Sequence, residues 1–152
     1  MKKILILLQL LLAITLTNCG GYKSIYSSKT HDFNIISIEL DKNNEISSKI
    51  KNSLKRLSNV DSEKKIIVKI SSNKTIAITS KDAKGDPKTY NMTINLNLEI
   101  DQSGIKRNNS FVETFGYNTK QNKFDLKKYE RNIQNNLIEK ILENITLYLS
   151  TI

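Results

Sequence analysis

Residues 89–101 read Thr-Tyr-Asn-Met-Thr-Ile-Asn-Leu-Asn-Leu-Glu-Ile-Asp. Tyr90, Met92, Ile94, Leu96, Leu98 and Ile100 alternate without a break against Asn91, Thr93, Asn95, Asn97 and Glu99. A period of two places all the apolar side chains on one side of a strand and the polar ones on the other. Such a strand needs cover on one side only, which predicts a sheet with one dry and one wet face.

The flanking segments extend that sheet. Gln102-Ser103-Gly104 is a tight turn, and Lys106 to Tyr117 follows as a strand with Phe111, Phe115 and Tyr117 on one parity. On the other side, Ser80 to Lys88 carries Gly85 and the only proline, Pro87, and is predicted as a loop. Lys64 to Thr79 holds Ile66, Val68, Ile70, Ile76 and Ile78 on one parity, interrupted by Ser72 and Lys74. It is one long strand or two joined by a bulge. Phe33 to Leu40 is a further strand, with Ile36, Ile38 and Leu40 expected on one face.

Two segments change period. Between Glu45 and Ser58, Ile46, Ile50, Leu54 and Leu57 form one apolar stripe, behind Asn44 as a helix N-cap. Asp125 to Ser150 is a long helix striped by Leu126, Tyr129, Ile133, Leu137, Ile141, Ile145 and Tyr148. The order is strand, helix, three strands, helix. It predicts an α+β two-layer sandwich over residues 33–152, a four-stranded mixed sheet with two helices on one face. The first two strands should be parallel through a helical crossover, and the rest antiparallel hairpins.

The N-terminal segment has another character. Lys2 and Lys3 precede an apolar run from Ile4 to Leu16, broken only by Gln9 and Thr15. The run is too short for a comfortable bilayer span and has the form of a secretory leader. It ends at Leu16-Thr17-Asn18-Cys19, which resembles a bacterial lipobox, and Cys19 is the sole cysteine of the chain. We therefore expect a lipoprotein signal peptide at 1–18 and a lipidated tether at 19–32, with Cys19 as the acylated residue. Acylation removes an exposed thiol, and two or more acyl chains anchor stably where one does not. Gly20 stands where Asp would, by analogy with enteric bacteria, favour retention at the inner membrane. The expected location is therefore the periplasmic side of the outer membrane.

Composition narrows the chemistry. The 152 residues include 24 Lys and Arg against 15 Asp and Glu, a formal net charge of +9. Without Lys2 and Lys3 the balance is 22 against 15. One cysteine, one histidine (His31, in the tether) and five glycines disfavour a cysteine-cluster metal site, a histidine-rich one and a glycine-rich phosphate loop. No pair of carboxylates has a spacing suited to acid–base work, and His31 lacks a nucleophile pattern. The reading is non-enzymatic, with no catalytic residues, no metal and no cofactor beyond the lipid on Cys19. Nucleic acid is not expected, because basic charge here comes without a stacking platform or recognition helix.

Topology gathers the charge. If the first strand runs away from the tether, the far end collects Lys42, Lys81, Lys84, Lys88, Lys120 and Lys123, diluted by Asp41, Asp82, Asp86 and Asp125. Flexible ammonium groups at loop tips suit a diffuse polyanion such as lipid phosphates. A solvated lysine-rich surface accounts for each residue singly; their clustering makes them a candidate site.

The run Cys19-Gly20-Gly21-Tyr22-Lys23-Ser24-Ile25-Tyr26 resembles the start of the LPS-assembly lipoprotein LptE family, with Ser24 where that family has proline. The element order and the long closing helix from Tyr129 past Leu149 are similar too. The resemblance implies a non-enzymatic outer-membrane lipoprotein that plugs the LptD barrel, assists its assembly and contacts LPS in transit. Its implied partners are LptD, LPS and outer-membrane lipid. Two other classes fit the same features. One is an auxiliary lipoprotein of an envelope lipid-transport ABC system, the other a periplasmic polyanion-binding module.

Overall fold

The computed structural model describes residues 31–152. The leader, Cys19 and all but the end of the tether lie outside the described residues. The elements are β1 (Asn34–Leu40), α1 (Glu45–Leu57), β2 (Lys65–Lys81), β3 (Pro87–Gln102), β4 (Ile105–Asn118) and α2 (Lys123–Thr151). They form one sheet in the order β1-β2-β3-β4, with β1 parallel to β2 and the other two pairings antiparallel. The fold is the expected α+β sandwich.

The unbroken alternation sets the core. Met92, Ile94, Leu96, Leu98 and Ile100 of β3 are all buried, as are Ile66, Val68 and Ile70 of β2 and Phe111 and Tyr117 of β4. Ile46, Ile50 and Leu54 of α1 and Ile133, Leu137, Ile138, Ile141, Ile145 and Leu149 of α2 complete the same core cluster. Burying side chains of this size contributes about 1.5–3 kcal/mol each, which holds both helices on the dry face. The opposite face carries no layer among the described residues. There Thr93 and Thr114 share a hydrogen bond of 3.0 Å across the strands.

Local chemistry ends each element. Asn44 caps α1, its side-chain oxygen accepting from the Ser47 N–H at 2.9 Å. Asn122 does the same for α2 toward Phe124 at 2.8 Å. Ser103 and Gly104 both have positive φ, 53° and 87°, so β3 and β4 are joined by a two-residue turn twisted to suit the strands.

Three expectations change. Ile36 is not on the inner face with Ile38 and Leu40, because β1 slips in register between Ile35 and Ser37. The slip hands the inward position to Ile35, which packs on the core, and leaves Ile36 61% exposed. The segment from Lys64 is one strand, and it runs two residues past Thr79. The expected Ser80–Lys88 loop shrinks to Asp82–Asp86, with Pro87 as the first residue of β3, where its missing N–H costs no ladder bond.

Candidate functional site: the far end of the sheet

The β2–β3 hairpin tip is built by one acid. Asp82 Oδ1 accepts the backbone N–H groups of Lys84 and Asp86, both at 2.9 Å. Gly85 N–H bonds the Asp82 carbonyl at 3.0 Å, and the Asp82 N–H bonds that of Asp86 at 2.8 Å. Gly85 sits at φ +89°, a conformation that L side chains resist. Asp82 thus serves the turn, and Lys81 and Lys84 stand exposed on either side of it. Lys88 lies just inside the tip, its carbonyl accepting the Thr119 N–H at 2.9 Å. That bond draws Lys120 and the start of α2, Lys123, toward the same end. Among the described residues none of these five lysines is held in an ion pair; the ion pairs there are Lys49–Glu45 and Lys106–Glu99.

At the same end Tyr90, Tyr117 and Tyr129 cluster, with Tyr117 buried. Tyr90 and Tyr117 are cross-strand partners and stack at 5.4 Å. Tyr129 of α2 meets Tyr117 edge-on at 6.1 Å, and the Lys120 ammonium sits 4.8 Å from the Tyr129 ring centre. Such a cation–ring contact contributes about 0.5–1 kcal/mol at an exposed site. The Tyr117 hydroxyl donates to Glu130 at 2.7 Å. Burial, and then the hydrogen bond to Glu130, push the Tyr117 phenol above its ordinary range. A shallow hollow of about 310 Å³ opens here between Thr79, Thr89, Asn91, Asn118 and the three tyrosines.

Lys42 does not join this group. The Asp41 N–H bonds the Ile70 carbonyl at 3.0 Å, so Lys42 stands beside the middle of β2. Lys81 is eleven residues further on, about 36 Å at the rise of a strand. Lys42 instead borders a polar hollow of about 350 Å³ with Asn44, Glu45, Lys74 and Gln134. The cause is strand length: β1 has 7 residues and β2 has 17, so β1 ends beside the middle of its neighbour and not at its far end. The tyrosine cluster lies outside the sequence expectations. Hairpin arithmetic contains it, since a two-residue turn at 103–104 pairs residues whose numbers total 207, which brings Tyr90 to Tyr117.

The expected loop lysines Lys81, Lys84, Lys88, Lys120 and Lys123 do share one end, where three tyrosines cluster. Exposed cations beside tyrosine rings, with Lys120 directly over Tyr129, suit binding of an anionic amphiphile or polymer. Among the described residues no three His, Cys, Asp or Glu side chains group as a metal site. No helix there is long and apolar enough to cross a membrane.

The architecture is one found in bacterial lipoproteins. The chain superimposes on rare lipoprotein B from Shewanella oneidensis with a TM-score of 0.57 and 13% identity, covering 76% of this chain and 95% of that one. Lipoprotein B from Nitrosomonas europaea gives 0.56 at 12% identity, covering 78% and 85%. A minor lipoprotein from Acinetobacter baumannii gives 0.54 at 14%, covering 81% and 95%. No family model matches the chain, and no curated protein matches it in sequence. At these identities the likeness is one of fold.

Proposed function

We propose that this chain is an exported, non-enzymatic lipoprotein of the LPS-assembly type, anchored through acylated Cys19 on the periplasmic side of the outer membrane. The observation that carries the reading is a coincidence of two independent features. The sole cysteine ends a leader-like apolar run. The domain behind it has the fold of proteins described as lipoprotein B, matched over most of both chains. In this reading the partner is the LptD barrel, which the domain plugs and helps to assemble. The lysines at 81, 84, 88, 120 and 123 contact LPS phosphates, and the tyrosines beside them accommodate the less polar part of the molecule.

Affinity capture from native envelopes tests it. LptD is expected to copurify with the mature chain, and Cys19→Ala is expected to release the protein from the membrane fraction. Joint reversal of Lys81, Lys84 and Lys88 to Glu should weaken LPS binding and leave barrel capture intact. Recovery of permease and ATPase subunits in place of a barrel would replace this reading with an ABC accessory role. Salt-steep binding to any phosphate-rich polymer, without a fixed partner, would replace it with a polyanion-binding module.

A further inference from the structure

β4 is the last strand of the sheet, and its outer edge, Ile105–Asn118, has no partner among the described residues. It pairs with β3 along all 14 residues without a register shift, so the edge is regular from end to end. Natural edges of this length are ordinarily blunted by proline, bulges or charge. From Asn108 to Asn118 β4 has no proline and one charged residue, Glu113. Counting out from the two-residue turn, Ser110 opposes Asn97 as a non-hydrogen-bonded pair, so its backbone faces the open edge, and its N–H meets the side chain of Asn109 at 2.9 Å.

We propose that this edge pairs with a second copy of the chain, antiparallel, about a twofold axis through Ser110. The two sheets then join into one of eight strands. The register follows from the residues on β4. An antiparallel self-pairing sets opposite one another residues whose numbers have a fixed even total, since partners must share a face of the sheet. The charged residues of β4 are Lys106, Arg107 and Glu113. Centring on Ser110 sets Arg107 against Glu113 of the second copy, twice by symmetry, and no other permitted register opposes a base to an acid. Arg107 and Glu113 are held meanwhile only by neutral amides, Gln102 at 3.1 Å and Asn144 at 3.2 Å, which a carboxylate–guanidinium pair can displace. The same register sets Ile105 against Phe115, side chains left 60% and 42% exposed in the single copy. Leu147, also exposed, is one turn beyond Asn144 on the flank of α2 that reaches Glu113, so its counterpart approaches it across the axis.

The proposal needs neither a lipid anchor nor any LPS role. It is tested in the chain with Cys19→Ala, which leaves no other thiol. Ser110→Cys places two thiols on residues that would exchange backbone bonds across the axis, with Cα atoms about 5.5 Å apart, within disulfide reach. A disulfide-linked dimer is expected under mild oxidation. Asn108→Cys separates the thiols by four residues along the strand, about 13 Å, and should remain unlinked. Cross-linking at 108 as readily as at 110, or at neither, overturns the register. Sedimentation supplies the second measurement. Glu113→Arg should raise the dimer dissociation constant roughly tenfold, because like charges then oppose each other in two symmetry-related pairs. Adding Arg107→Glu should restore it. A monomer at all concentrations, or a double variant no tighter than the single one, overturns the proposal.

Discussion

β2 is one strand with two lives. From Ile66 to Ser72 its inward residues are all buried, beneath α1 and beside β1. From Asn73 to Lys81 every residue is exposed, although Ile76 and Ile78 keep the same parity. Ile78 pairs with Tyr90 and Ile76 with Met92, so the far half still belongs to the inner face. The difference is coverage. β1 ends opposite Ile70, and α1 begins beside Ser72, where Ser47 and Ser72 share a buried hydrogen bond of 2.7 Å. Alternation decides which way a side chain points; the length of the neighbouring element decides whether it leaves water.

The largest test contrasts the two halves directly. Ile70→Ala removes a fully buried side chain and should cost about 3 kcal/mol in urea unfolding. Ile78→Ala, at 50% exposure, should cost under about 1 kcal/mol. Equal losses would mean that the far half is packed in solution and would erase the contrast.

Tyr117 is where the far half does gain a core contact. Tyr117→Phe should cost about 1–2 kcal/mol, since Glu130 loses its donor. The pH dependence has a definite sign. The phenol is raised in the folded chain from an ordinary value of 10.0, so above that pH the unfolded chain releases a proton that the folded one keeps. Stability from Tyr117 is complete below about pH 10 and declines as pH rises through the folded value. Unfolding measured between pH 9 and 11 should show this decline in the wild type and lack its Tyr117 part in the phenylalanine variant. At the tip, Gly85→Ala should cost about 1 kcal/mol. The added Cβ meets no atom within 4 Å, but φ +89° disfavours it.

The contrast also explains what could be read without coordinates. β3 and α1 were legible because their periods are strict, and Asn44 because a cap needs only a short polar side chain at one position. The outward turn of Ile36 is not legible, because a one-residue slip leaves no mark on composition. Ser72 looked like an interruption of the stripe, yet it keeps its inward place by bonding Ser47 and by donating to Asn44 at 3.1 Å. The separation of Lys42 from the tip is not legible either, because strand direction is readable from order and strand length is not. Lys81, Lys84 and Lys88 flank a turn that Gly85 and Pro87 announce, and Lys120 and Lys123 lie in and just after the polar run that follows β4, so element order alone brings them to one end.

Glu45 sits where cover ends, and it gives the smallest test of that boundary. It opens α1, where a negative side chain suits the helix N-terminus, and meets Lys49 one turn on at 2.8 Å. The hydrogen bond from Lys49, and then one from Gln134, hold its carboxyl below the usual range of 4.5. Its contribution is therefore present above about pH 4.5 and lost as pH falls through the lower folded value. The Lys49 and Glu45 side chains are 42% and 59% exposed, so water screens the pair and it contributes only about 0.3–0.5 kcal/mol. Glu45→Gln should lower stability by that amount at pH 7 and by nothing at pH 2, read from urea midpoints at the two pH values. A larger loss at pH 7 would show that Glu45 is not a surface residue at the rim of α1. It would instead join the polar hollow beside Lys42, Lys74 and Gln134 to the packed half of β2, and move the boundary of the core outward by one turn.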